Sequence, residues 1–376
     1  MSVKATLLLL LSFQLVQSAF AVSETPVDSL AREYAGLPLP GVDALAGTSA
    51  PKVEPAKKSA AQMAWAAYEK SIGAPLRKWA ATEVASGRGG TIFYPFSGPD
   101  LVTVAQMFPE ADRYVLVAIQ PAGPPVELSA MAPEARSAFR DKFKVEWAKF
   151  GMLGFFRTVD LNENTASTTA RLTSTPVMMA FAASLGFRVE AVRPLFMNAE
   201  TGDYEPAAPE RQSQWKSVRL ELSSESRRVL VDYVCLDLSD AYLKTHVAEA
   251  QWLKKCAKNP VLLKAASHLL PKPYFSVCRN ALVEGATLLV QDETGLEYGD
   301  LKKIGDVTLY GRFVAAHKLF DASSQHDLAA AYAERGQSSP LPFSYSYQKA
   351  ADRRSLQVAR RRVMGEAAGS TSPENP

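Results

Sequence analysis

Three short polar segments hold the residue types that chemistry needs. The first is Ser97-Gly-Pro-Asp100. Gly98 lets backbone approach a ligand, Pro99 fixes a turn, and Asp100 stands where a helix begins. Its carboxylate suits general-base work or a metal, and it equally suits a plain N-cap that accepts backbone N–H bonds. The second is Gln291-Asp-Glu-Thr-Gly295, where Asp292 and Glu293 beside a glycine fit metal binding or acid/base work and also fit an ordinary exposed turn. The third is Lys264, Ser267 and His268, whose spacing of three and four places them on one side of a helix predicted over 260–270. Lys264 would anchor an anion and His268 would carry a proton; the plain alternative is a solvated helix face. His246, His317 and His326 stand alone and receive no role.

These segments define the expected site. Asp100 and Asp292 are the candidate catalytic pair, and Ser97, Gly98, Lys264, Ser267, His268 and Glu293 are the candidate ligand contacts. No zinc-type Cys/His spacing appears, nor GxSxG, HExxH, GxGxxG or a P-loop, so no metal set is assigned and no cofactor is named.

The elements that must position these residues follow from periodicity. Thr91–Phe96 and Arg113–Ile119 read as strands around a helix over 101–107, a βαβ unit with parallel strands. Loops at the carboxyl ends of such strands are where α/β sheets bind ligands. Phe139, Phe143, Trp147 and Phe150 form a helical stripe that reads as core. Residues 175–185 read as helix and 188–196 as extended. The alternation over 218–222 answered by 229–236 is an antiparallel hairpin. Helices at 240–253 and 275–284, strands at 287–291 and 308–313, a helix at 324–334, an extended stretch at 341–347 and a basic helix over 349–364 complete the pattern. The fold class is α/β: a mixed sheet with a parallel βαβ core and an antiparallel hairpin, helices on its faces.

Composition sets the frame. The chain has 376 residues, 47% hydrophobic and 22% charged, with a net charge of +3, which excludes nucleic-acid binding by bulk charge and whole-chain disorder. Lys4, the apolar run Ala5–Val16, and Ala19 and Ala21 have the three parts of a secretory signal peptide, with cleavage expected after Ala21. The expected organisation is a signal peptide over 1–21, a flexible Pro/Ala-rich leader over 22–58, one globular domain over 59–364 with a lobe boundary near 198–215, and a disordered tail over 365–376. No later stretch is long and apolar enough for a transmembrane span. The expected location is therefore periplasmic or secreted. Cys235, Cys256 and Cys278 allow at most one disulfide, Cys256 with Cys278 being the compatible pair; three buried free thiols are the alternative. The arginines at 353, 354, 360, 361 and 362 fit a solvated helix or contact with an anionic surface.

Tyr94-Pro-Phe-Ser-Gly-Pro-Asp100 with Phe108, Pro109 and Tyr114, Leu263-Lys-Ala-Ala-Ser-His-Leu-Leu270 with Phe275-Ser276, and Leu289-Val-Gln-Asp-Glu-Thr-Gly295 together resemble a family of uncharacterised exported bacterial proteins. That family carries a YPFSGPD segment, a KSASYL-like helix and a QDDSG-like turn in this order, and the resemblance spans about 60 to 350. Glu293 replaces the second Asp of the turn, and Ala265 and His268 stand where the family has Ser and Tyr, which weakens a catalytic role for His268. The resemblance implies export and no reaction. It coincides with the residue-level reading at Ser97, Asp100, Lys264, Ser267 and Asp292. The expected function is binding of a small polar or anionic ligand, an envelope component among them, in a cleft formed by these segments. Hydrolysis by a carboxylate pair, with or without a metal, and a protein-interaction module are the alternatives.

Overall fold

A computed structural model describes residues 26–39, 58–85, 89–153, 172–208, 211, 214–316, 325–336 and 339–362. The expected signal peptide and C-terminal tail lie outside these residues. Among the described residues ten strands form one sheet: β1 Thr91–Tyr94, β2 Arg113–Ala118, β3 Arg188–Asn198, β4 Asp203–Pro206, β5 Ser217–Ser223, β6 Arg228–Cys235, β7 Val261–Leu262, β8 Leu288–Gln291, β9 Gly305–Gly311 and β10 Ser355–Arg361. Their order is β4-β3-β5-β6-β2-β1-β7-β8-β10-β9. The five central strands, β6-β2-β1-β7-β8, are parallel, and the flanking strands are antiparallel. The mixed α/β sheet expected from the sequence is therefore the observed fold. The β5–β6 hairpin extends the central sheet on one side, pairing Leu220 with Val231.

Alternating side chains of the central strands feed two cores. Ile92, Tyr94, Tyr114, Leu116, Leu262 and Val290 face one side, and Phe93, Val115, Val117, Val261 and Leu289 face the other. The first side is covered by α1 Pro26–Ala35, α2 Ala60–Tyr68, α3 Ala74–Glu83, α4 Leu101–Met107, α5 Pro133–Leu153 and α6 Ser174–Ser184. The second is covered by α7 Asp240–Leu243, α8 Val247–Cys256, α9 Ser276–Gly285 and α10 Tyr298–Ile304. The helix α11, His326–Arg335, packs Leu328 and Tyr332 on Leu309 of β9. The aromatic stripe of α5 is core: Phe139, Phe143, Trp147 and Phe150 are all buried, and Trp147 and Phe150 meet Phe181 at ring separations of 4.9 and 4.7 Å.

Four expectations change. The leader over 22–58 contains α1, whose Leu30, Ala31 and Tyr34 are buried and whose Asp28 accepts a hydrogen bond from the Val189 amide at 2.9 Å. Leu30 and Tyr34 are four apart, and that apolar face is what anchors the helix. The segment 198–215 carries β4, paired with β3 at the sheet edge, and marks no gap between lobes. Within the basic helix expected over 349–364, Ser355–Arg361 is instead strand β10, lying between its antiparallel partners β8 and β9; residues 363 and 364 lie outside the described residues. Its Arg361 caps α9, donating to the carbonyls of Val283 and Ala286 at 2.7 and 2.8 Å. The helix over 260–270 is replaced by β7 and a 3-10 turn over Ala265–Leu269. The three cysteines are free thiols, and burial pushes Cys256 up to about 12.

β7 is the shortest strand and lies mid-sheet. It meets β1 through the single register pair Phe93 with Val261 and meets β8 through two pairs. The chain leaving β1 turns through α4 to β2 on one side, whereas the chain leaving β7 turns through α9 to β8 on the other. The order of strands therefore reverses between β1 and β7. In open α/β sheets this is where adjoining loops part and a crevice opens.

Candidate functional site

Asp100 and Lys264 leave the two strands at this reversal. After β1 the chain turns sharply at Phe96 and Gly98, both in the left-handed region with φ of 59° and 57°. Ser97 donates through its amide and its hydroxyl to the Val117 carbonyl at 2.9 and 3.3 Å, tying the turn to the end of β2. Asp100 is the N-cap of α4: its Oδ1 accepts from the Thr103 amide at 3.1 Å. Its Oδ2 accepts from the Thr103 hydroxyl at 2.8 Å, the Tyr94 hydroxyl at 3.1 Å and the Lys264 ammonium at 2.9 Å. Lys264 Nζ also donates to Thr103 Oγ1 at 2.6 Å and lies 5.3 Å from the centre of the Tyr345 ring. The side chains of this ion pair are only 2% and 3% exposed. Buried this deeply, each charge depends on the other.

The third segment joins them from β8. Gln291 clamps the turn, its Oε1 accepting from the Leu296 amide at 2.8 Å and its Nε2 donating to the Leu296 carbonyl at 2.9 Å. Gly295 is required beside that clamp, since a Cβ there would stand 2.2 Å from Gln291 Oε1. Asp292 Oδ1 accepts from the Thr294 amide and hydroxyl at 3.0 and 2.5 Å, and Ser267 and Thr294 share a hydroxyl contact at 3.0 Å. This last contact links the second and third segments. The charges of Asp100 and Asp292 both act on the phenols of Tyr94 and Tyr345, which burial and these carboxylates push well above the ordinary range.

The electrostatics of the cluster follow from burial. Burial raises the Asp292 carboxyl, while Thr294, the Ser346 hydroxyl beside it and the charge of Lys264 pull it back. Glu293 is pushed up to about 8, first by burial and then by the negative charge of Asp292. Lys349 is pushed down to about 7, first by burial and then by the positive charges of Lys264 and Arg354. Ser355 donates to Glu293 Oε2 at 3.2 Å, while Asp292 Oδ2 and Glu293 Oε1 are buried with no hydrogen-bond partner among the described residues. The stretch 344–349 runs over this group as a strap, with Tyr345 donating to the Leu263 carbonyl at 3.1 Å.

Asp100, Lys264, Ser267, Asp292 and Glu293 therefore come together, with Ser97 at the edge, but as a buried cluster and not as the lining of an open cleft. The common helix face of Lys264, Ser267 and His268 does not exist. Lys264 has extended backbone and Ala265 a φ of 55°, so Lys264 and Ser267 turn inward while half-buried His268 sets Nδ1 3.1 Å from the Ala265 carbonyl of its own turn. The turn 291–295 is buried under the strap and not exposed. Tyr345 and Lys349 carry no site signal in the sequence, and Tyr94 enters there only through the family resemblance. Thr103 was not singled out but had a signal, since it stands three residues after the cap, where a cap's carboxylate meets backbone.

The accessible space lies beside the cluster. A hollow of about 210 Å³ opens above the ends of β2 and β6 and is walled by Phe96, Leu238, Leu269 and Phe275. Gly98 and Ala266 border it, one from each of the loops that hold the ion pair. Of the expected ligand contacts, Gly98 alone lines this hollow. No helix among the described residues is long and apolar enough to cross a membrane, and no three His, Cys, Asp or Glu side chains among them are placed to hold a metal ion. Neither the known protein-family models nor the curated proteins contain a match to this chain.

Proposed function

We propose that this chain is an exported protein that binds a small molecule in the hollow at the strand reversal. One observation carries the reading: the loops leaving β1 and β7 part at the point where α/β sheets hold ligands, and the buried Asp100–Lys264 pair fixes both beside an apolar-walled space. The buried cluster is the scaffold of the site. A carboxylate-pair hydrolase has less support, because Asp100 already accepts from four donors and Asp292 is buried beneath the strap. Export rests on the residues of the first 21 positions.

Fragment screening by saturation-transfer NMR tests the binding reading. Fragments of about eight to ten heavy atoms fit a space somewhat larger than the roughly 150 Å³ cavity that accommodates benzene. Hits should be lost in Ala266→Trp, which introduces a bulky side chain at the border of the hollow and leaves both residues of the ion pair in the sequence. Hits that persist in that variant, or a screen of several hundred fragments without a hit, overturn the reading. For export, the chain expressed in a Gram-negative host should appear outside the cytoplasm and begin at Val22; an intact chain in the cytoplasmic fraction overturns it.

A further inference from the structure

Resting on that reading, we infer that the hollow selects a ligand with an apolar body and a protonated amine, the amine being held by Asp237. Sites at a strand reversal commonly attract anions, because helix N-termini and basic side chains face them. Here both attractions are cancelled by one residue: Asp100 caps α4 and also neutralises Lys264. What remains at the hollow is, among the described residues, a single ionisable lining residue, Asp237, half-buried just beyond β6. Its Oδ1 accepts from the Ser239 amide at 2.8 Å, which fixes the carboxylate, and no basic side chain among the described residues pairs with it. Gln120 is the other polar side chain of the lining and carries no charge; the rest is apolar, with Phe96 and Phe275 in edge contact at 5.7 Å and Ile119 forming a lip that is 63% exposed. An aromatic or aliphatic body fills such walls, and a cationic donor answers the one charge. The anionic ligand expected from Lys264 finds no counter-charge in this space.

Three probes of nearly equal shape separate the possibilities: benzylamine, benzyl alcohol and benzoate. Each is titrated into the mature chain, and binding is followed by ¹H–¹⁵N shifts of the residues around the hollow at neutral pH. A charge-assisted hydrogen bond in a half-buried setting favours the amine over the alcohol by about tenfold or more, with benzoate weakest. Asp237→Asn keeps the acceptor for Ser239 and should bring amine and alcohol level, and Ala266→Trp should abolish binding of all three. If the alcohol or benzoate binds as tightly as the amine, or Asp237→Asn leaves the preference intact, the ligand class is wrong while the hollow stands. If no probe moves any resonance there, the binding reading fails together with this one.

Discussion

Replacing Lys264 with Met is the sharpest test of how the site is held. Met fills nearly the same volume, so the perturbation is the charge and its hydrogen bonds. The variant leaves the Asp100 carboxylate buried, with Thr103 and Tyr94 still donating but with no cation. Removing one partner of a buried pair costs about 3–5 kcal/mol. With a urea slope of about 3 kcal/mol/M for a chain of this size, the unfolding midpoint should fall by about 1–1.7 M. An exposed pair provides the control. Lys303 reaches Asp300 at 2.6 Å with its own side chain 67% exposed, and Lys303→Met should cost less than about 1 kcal/mol. The double variant Asp100→Asn with Lys264→Met removes both charges and keeps a good N-cap. It should therefore lose about 1–3 kcal/mol less than the sum of the two single variants. Urea melts of the parent chain and the four variants, followed by far-UV circular dichroism, decide the matter. A loss for Lys264→Met no greater than that for Lys303→Met, or strict additivity in the cycle, refutes the buried pair.

The remaining expectations concern the surroundings of that pair. Glu293 holds its proton up to about 8 in the fold, against about 4.5 when unfolded, so its contribution is complete below about 4.5 and is lost as pH rises towards 8. Lys349 gives up its proton near 7 instead of 10.5, so above 7 its contribution rises with pH. Urea midpoints across pH 5 to 10 should thus fall and then recover; Glu293→Gln should flatten the fall and Lys349→Met the recovery, and unchanged profiles refute the assignment. Gly295→Ala must displace the Gln291 clamp and should cost about 2 kcal/mol from two buried hydrogen bonds, with faster hydrogen exchange at Leu296. Arg361→Ala should cost a similar amount, about 2 kcal/mol, by uncapping α9, whereas solvated-helix behaviour would leave stability unchanged.

Much of this architecture was legible because its segments are strongly periodic. The runs 91–96 and 113–119 could hardly be anything but buried strands, and the short helix between them fixes their parallel sense. The α5 stripe and the 217–235 hairpin were legible for the same reason. β7 and β10 were not. Val261 and Leu262 begin a Leu/Ala-rich run with helical spacing, and the slot between β1 and β8 is what makes them a strand. The alanine and arginines of β10 favour helix on their own, while buried Leu356 and Val358, two apart, follow the sheet. Residue types pointed to Asp100, Lys264 and Asp292, but their meeting depends on strand order, which no local pattern encodes. The strap was hidden because 344–349 has no periodicity, and the hollow because its walls come from loops far apart in the chain.

The brevity of β7 has a mechanical consequence. Within the sheet, six strands on one side and three on the other are joined through a strand of only two residues. Bending of the sheet concentrates there, beneath the loops that frame the hollow. A molecule wedged against Gly98 and Ala266 would brace the joint from above, so deuterium uptake at Val261–Leu263 should slow on occupancy while the outer strands keep their own rates.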